Sequence, residues 1–255
     1  MVGSAGLGGV GRGATPRRGG GDRHSGGFGV GVVVMGAWVV AVTAVLAFSE
    51  LVEDVVRSTG LASSDLAAVR ALAATREPVS VAVMGLITSL GSPAAMCVVA
   101  TAVCGWLAWR QRVAEPLLLG AAGVGGIAGL DTATKYMVAR PRPPAALHAV
   151  VVNGYSFPSG HACFSAVVLP LCCVMAIRWA VRGPWRRLAV CVFSLLGVAA
   201  VGFSRVFLGA HYPTDVLGGW ALAGAWDAVL VLAVVLVPAS GSGFRPETQV
   251  YSDGS

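Results

Sequence analysis

The chain has 255 residues, 56% of them hydrophobic and 12% charged, with a formal net charge of +6 and a mean hydropathy of +0.76. That balance is too apolar for an ordinary soluble domain and leaves too little charge to cover one. It excludes a water-soluble single-core protein, and the scattered basic excess forms no folded groove of the kind that reads nucleic acid.

In chain order, residues 1–27 stand apart. They are rich in Gly and carry Arg12, Arg17, Arg18 and Arg23, a composition that cannot bury enough apolar surface to fold alone. Gly6-Leu7-Gly8-Gly9-Val10-Gly11 matches a dinucleotide-binding pattern, but no strand precedes it and no βαβ unit surrounds it. No convincing cleavage site marks the stretch as a secretory signal, so Phe28 is expected to open the first retained helix.

Residues 28–49 and 78–109 contain no Asp, Glu, Lys or Arg. Crossing a hydrocarbon core of about 30 Å takes roughly 20 residues. Six membrane spans are expected near 28–48, 81–109, 117–138, 162–180, 188–207 and 216–238, giving an all-α, polytopic six-helix bundle over 28–238 and a polar tail at 239–255. Gly91-Ser92-Pro93 interrupts the second span, because proline removes a helix donor and clashes with the preceding turn; a short segment should precede a main span near 94–109. Residues 51–77 mix charges with helical stretches and read as an interfacial helix pair.

Under the positive-inside rule the basic N-terminal tail, Arg110/Arg112, and Arg178, Arg182, Arg186 and Arg187 share the cytoplasmic side. Six spans put them there together. The opposite side receives Glu50, Glu53, Asp54 and Asp65, with the loops near 139–161 and 205–215. Trp106, Trp109 and Trp185, next to arginines, suit helix ends at the interface. Cys97, Cys104, Cys163, Cys172, Cys173 and Cys191 lie in apolar stretches without a Cys-x-x-Cys or metal-ligand framework and read as small packing residues. Gly125 and Gly129 make a small-x-x-x-small pattern suited to close helix packing.

Chemistry concentrates in three segments. Lys135, Arg142 and Arg205 supply a point charge and two planar donor forks, which suit the oxygens of a phosphate. In Pro158-Ser159-Gly160-His161 a tight turn entering a helix offers the Ser159 hydroxyl, backbone donors near Gly160 and a favourable dipole to an oxyanion. His211 and Asp215 share a face if the segment is helical, although Pro213 allows a turn instead. In either geometry Asp215 can hold one ring nitrogen of His211 while the other attacks phosphorus. Asp131, one turn before Lys135, is placed to pair with it. Asp227, near the middle of the sixth span, should face the bundle or a hydrated cavity, or be protonated.

Residues 135–143, 155–161 and 204–215 resemble the three signature regions of the type 2 phosphatidic-acid phosphatase superfamily, in its membrane lipid-phosphatase branch. The resemblance implies a hydrolase without cofactor or divalent metal, working through a histidine-phosphate intermediate. His211 would be the nucleophile, Asp215 its orienting partner, and His161 the acid for the departing oxygen and later the base for water. Lys135, Arg142, Ser159, Gly160 and Arg205 would hold the phosphate. The implied substrate is a lipid phosphate or diphosphate at the extracytoplasmic face of a bacterial cytoplasmic membrane, with both termini cytoplasmic. Polyprenyl (undecaprenyl-type) diphosphate leads, and phosphatidic acid, phosphatidylglycerophosphate and diacylglycerol diphosphate are alternatives. A non-enzymatic anion or lipid transporter would not require both His161 and the His211/Asp215 arrangement. A vanadate-dependent haloperoxidase would share the oxyanion pocket, but the membrane-rich body argues against it.

Overall fold

The computed structural model describes residues 23–236, with side chains from residue 30. Residues 1–22, which hold Gly6 to Gly11 and most of the basic tail, lie outside the described residues, as does the 239–255 tail.

Eight α-helices and no strands are present among the described residues: α1 (Arg23–Arg57), α2 (Asp65–Ala74), α3 (Pro78–Leu90), α4 (Pro93–Gln111), α5 (Glu115–Val138), α6 (Gly160–Trp179), α7 (Pro184–Phe207) and α8 (Pro213–Leu236). Six of them, α1 and α4 to α8, are long and apolar enough to cross a bilayer. The protein is therefore an all-α, multi-pass membrane protein.

Local sequence sets the helix boundaries. Pro93 occupies the first turn of α4, where its missing N–H costs nothing, and the Ser92 side chain caps the helix by accepting from Ala95 N at 3.2 Å. The 81–109 span thereby splits into two helices. The 13-residue α3 is too short to cross, and α4 alone does so. Residues 51–77 also divide differently from the expected helix pair. Leu51 to Arg57 prolong α1, and only α2, preceded by a 3-10 turn at Gly60–Ser64, is a separate helix before α3.

α6 is the central helix, in contact with α4, α5, α7 and α8. Its Cys163, Phe164, Val167 and Val168 meet Met96 and Ala100 of α4, Ile127 of α5, and Leu222 and Ala223 of α8. Toward the basic end, Cys104 and Leu107 of α4 pack on Met175 of α6. Large apolar side chains such as Trp38, Val39, Leu46, Phe193 and Leu195 remain exposed on the outer surface, which is the lipid-facing solution for helices apolar all round. The described cysteines are free and all lie in helices.

One packing expectation is corrected. A Cβ at Gly125 or Gly129 would meet nothing within 4 Å, whereas one at Gly120 would crowd Cys104, one at Gly123 would touch Leu171 and Val167, and one at Gly126 would strike the Trp226 indole. With 3.6 residues per turn, the buried positions Gly120, Gly123, Ile127 and Asp131 form one stripe. Gly125 and Gly129 point away from it, toward lipid.

Candidate active site

The site forms at the end of the bundle opposite Arg110, Arg112 and Arg178. α5 delivers Lys135 in its last turn, and its i,i+4 partner Asp131 binds the ammonium directly, as the spacing led one to expect. Lys135 Nζ also donates to Pro158 O at 2.6 Å. After α5 the chain reverses at Ala139 (φ +48°) and carries Arg142 across the pocket. The Arg142 guanidinium donates to Gly154 O (3.0 Å), Asn153 O (2.8 Å) and Ala210 O (2.8 Å), and lies 3.0 Å from His211 Nε2. Of its five N–H groups, three hold the loop carbonyls and one faces His211. One N–H and the His211 contact thus remain for an incoming anion.

Pro158 to His161 lead into α6. Ser159 is the N-cap residue with extended backbone, but its hydroxyl does not cap the helix. The side chain is fully buried and Oγ has no partner, an unusual state for a buried hydroxyl. Ser159 N donates to Asp215 O at 2.9 Å, fastening the turn to α8. A Cβ on Gly160 would come within 3.3 Å of Asp131 Oδ2 and 3.6 Å of Lys135 Nζ. The bare glycine lets the first turn of α6, with its orphan N–H groups, lie against the lysine.

The third segment is the C-terminal end of α7 and the start of α8. Arg205 sits in the last turn of α7, 6% exposed. Its Nη1 donates to Thr88 Oγ1 of α3 at 2.6 Å, while its Nε is buried without a partner. Gly209 then turns the chain at φ +71°, with Leu147 O packed where a Cβ would stand, so glycine is required there. Ala210 N (3.0 Å) and His211 N (3.2 Å) fold back onto Arg205 O. Pro213 begins α8 and Asp215 lies in its first turn. His211 therefore precedes the helix, and the Pro213 ambiguity resolves as a turn followed by a first helical turn.

His211 is 2% exposed and Asp215 fully buried. His211 Nδ1 stands 3.3 Å from Asp215 Oδ2. With Arg142 donating to Nε2, these partners assign the proton to Nδ1 and the free lone pair to Nε2. Burial pushes the His211 pKa down from 6.5 to about 4, against the pull of Asp215. The ring is therefore neutral at ordinary pH. Asp215 Oδ2 also accepts from Tyr212 N at 2.8 Å and from the Ser156 hydroxyl, while Oδ1 accepts from Arg140 Nη1 at 2.6 Å. Burial lowers the pKa of Arg142; for Arg140 the same desolvation is outweighed by Asp215 and Asp65, and its pKa rises.

His161 lies within electrostatic range of Arg205, His211, Arg142 and Lys135, so the three segments converge on one pocket. Asp227 is elsewhere. It lines a cavity of about 350 Å³ with Leu119, Met175, Arg178 and Trp179, facing the bundle as its membrane depth requires.

Several residues that hold the site were not visible in the sequence. Thr88 bonds to Arg205, and Arg140 and Ser156 bond to Asp215; Asp65 and Thr214 hold Arg140 in turn, and Arg76 holds Phe207 O (2.6 Å) and Leu147 O (2.8 Å). Only Arg140, in the repeat Arg140-Pro141-Arg142-Pro143, carried a local signal.

The sequence profile of the PAP2 superfamily matches residues 114–237, which contain all three segments. Phosphatidylglycerophosphatase B of Bacillus subtilis (strain 168) is 29% identical over 168 residues, 66% of this chain and 81% of that protein. Undecaprenyl-diphosphatase of Sulfolobus acidocaldarius is 29% identical over 110 residues, 41% of this chain and 48% of that protein. The crystal structure of the first transmembrane PAP2 type phosphatidylglycerolphosphate phosphatase from Bacillus subtilis superposes with a TM-score of 0.69 at 28% identity, covering 76% of this chain and 94% of that one.

Proposed function

We propose that the chain is a membrane lipid phosphatase of the PAP2 superfamily, whose profile matches residues 114–237, and that it hydrolyses a lipid phosphate or diphosphate through a phosphohistidine at His211. The observation that carries this reading is the neutral, buried His211 held at Nδ1 by Asp215, in a pocket whose Ser159 Oγ and Arg205 Nε are buried donors without partners.

In the first half-reaction His211 Nε2 attacks the terminal phosphorus, an N–P bond forms and the P–O bond to the leaving group breaks, that group being the lipid alcohol of a monophosphate or the lipid monophosphate of a diphosphate. His161 gives its proton to the leaving oxygen. Arg205, Ser159, the α6 N-terminus and Lys135 hold the phosphoryl oxygens, and Arg142 exchanges its contact with His211 for one with the anion. In the second, His161 takes a proton from water, whose oxygen attacks phosphorus as the N–P bond breaks. Inorganic phosphate leaves and neutral His211 returns. The cationic charge this mechanism needs comes from Lys135, Arg142 and Arg205, so activity is expected to persist in excess EDTA.

The same layout supports a proposed orientation. Arg110, Arg112, Arg178, Arg182, Arg186 and Arg187 lie at one end of the six spans and the pocket at the other. The positive-inside rule then puts both termini in the cytoplasm of a bacterial cell and the pocket on the extracytoplasmic face of its cytoplasmic membrane. Polyprenyl diphosphate is the leading substrate. Phosphatidylglycerophosphate is the second reading, favoured by the phosphatidylglycerophosphatase relative that matches across most of its length. Phosphatidic acid and diacylglycerol diphosphate complete the panel.

The test is phosphate release by purified protein from those four lipids, with H211A alongside. Release by wild type, none by H211A, and an acid-labile phosphoryl group trapped on His211 are expected. No release from any of the four by folded protein overturns the hydrolase reading, and an H211A variant with wild-type rate overturns the nucleophile.

A further inference from the structure

Asp65 opens α2, outside the family-matched region, and is only 2% exposed. A carboxylate so buried must be fully bonded. Thr214 N donates to its Oδ1 at 3.2 Å, and the Thr214 hydroxyl and Arg140 Nη2 (2.7 Å) both donate to its Oδ2. Arg140 extends the chain of contacts. Its Nη1 reaches Thr214 Oγ1 (2.8 Å) and Asp215 Oδ1 (2.6 Å), and its guanidinium stacks 4.2 Å from the Tyr212 ring centre.

The charges decide what this arrangement does. An arginine paired with Asp215 alone would neutralise the carboxylate that must stabilise His211. With Asp65 on its other side, Arg140 is shared between two carboxylates, and the three groups together keep one net negative charge facing His211 Nδ1. That charge matters most when the ring becomes cationic on accepting the phosphoryl group. Thr214 ties Asp65 to the turn of α8 that bears Asp215.

We propose that Asp65 is a positioning residue for the reaction: through Arg140 it preserves the negative charge of Asp215 toward His211, and through Thr214 it pins the first turn of α8. The proposal rests on the reading of His211 as nucleophile. α2 does not depend on Asp65 alone for its place. Val69 is fully buried against Ala162, Val206 and Val216, and Arg76, just beyond the helix, grips Phe207 O and Leu147 O. D65N should therefore remain docked.

The charged groups around His211 are Asp215 on α8, Arg205 on α7, Arg142 on the 139–159 loop and His161 on α6, with Lys135 on α5 close to His161. None is altered in D65N. Removing one negative charge from the trio makes His211 harder to protonate. The ring titration, followed by NMR of full-length protein labelled with ¹⁵N-histidine, is expected to move to lower pH in D65N and return in D65E. In turnover of polyprenyl diphosphate or phosphatidylglycerophosphate, D65N is expected to lower kcat about tenfold. KM and competitive inhibition by inorganic phosphate should stay within about twofold, because neither Asp65 nor Arg140 is assigned to the phosphate.

An unmoved His211 titration in folded D65N overturns the proposal. So does a loss of kcat accompanied by an equal loss of affinity for inorganic phosphate, which would mark a merely structural role. Should D65N not fold, T214V serves instead, since it removes the hydroxyl bond of Thr214 to Asp65, leaves only the backbone N–H bond to Oδ1, and keeps the charge trio. A lowered kcat at unchanged KM supports the pinning, and wild-type kcat overturns it. A wild type that hydrolyses none of the lipids but shows the moved titration in D65N overturns the hydrolase reading and leaves the positioning of His211 by Asp65 standing.

Discussion

Residues 135–215 and residues 65–88 build one pocket by different means. The first stretch contributes the groups assigned to the phosphate, and it lies inside the family-matched region. The second contributes none of them. Instead three of its residues grip the first stretch: Asp65 holds Arg140 and Thr214, Arg76 holds the carbonyls of Phe207 and Leu147 around the Gly209 turn, and Thr88 holds Arg205. Reactive groups need a shape that only certain residue types provide. Supporting groups need only a hydrogen bond at the right place, which many residue types can supply, so the supports are written more loosely into a sequence than the chemistry.

The largest effects should come from the reactive stretch. H211A is expected to lower phosphate release by at least about 1,000-fold with no phosphoenzyme trapped, measured on protein whose helical circular dichroism matches wild type. D215N should follow, at roughly 100- to 10,000-fold, since it removes the carboxylate that fixes the imidazole tautomer. If either variant loses less than D65N does, the division between reactive and supporting groups is wrong.

Supporting groups should register in binding or by small factors. T88V leaves Arg205 Nη1 without its acceptor and is expected to raise KM about three- to tenfold, the worth of one hydrogen bond to a charged group, with kcat moving less. D131N should cost about threefold in kcat/KM, because Lys135 keeps its bond to Pro158 O while losing its ion partner. Unchanged activity in D131N would remove Asp131 from the support of Lys135. D227N, remote from the pocket, should stay within about twofold of wild type.

The smallest effect is on stability. His211 titrates near 4 in the folded chain against 6.5 ordinarily, so between those values the unfolded chain binds the extra proton. Stability contributed by the neutral ring is therefore full above about pH 6.5 and falls as the pH drops toward 4. Thermal unfolding in detergent at pH 7 and pH 5 should show a decrease for wild type that is reduced in H211A.

How much of this was legible depended on sequence distance. Helix spans are readable because apolarity is a local property, and the three segments because each packs its chemistry into a dozen residues or fewer. Asp131 and Lys135 were paired correctly since one helical turn separates them. The Asp65 to Arg140 and Arg205 to Thr88 contacts join residues 75 and 117 positions apart, and nothing near Asp65 or Thr88 distinguishes them from interfacial polar residues. The glycines of α5 misled for another reason. Spacing shows that two small residues share a face, but not which face the bundle will claim, and Trp226 claims Gly126.

The first and last helices described here pack extensively on each other, α1 against α8, and this bears on how the protein is made. Of these eight helices, chain synthesis inserts α1 before all the others and α8 after them, so the face of α1 that meets α8 waits in lipid until α2 to α7 have emerged. Asp215 rides on α8, and His211 depends on Asp215. A nascent chain arrested after α7 would therefore have Lys135, Arg142, His161 and Arg205 in place without the proposed nucleophile set by Asp215. On the proposed mechanism, activity would begin only when α8 packs against α1 and α6.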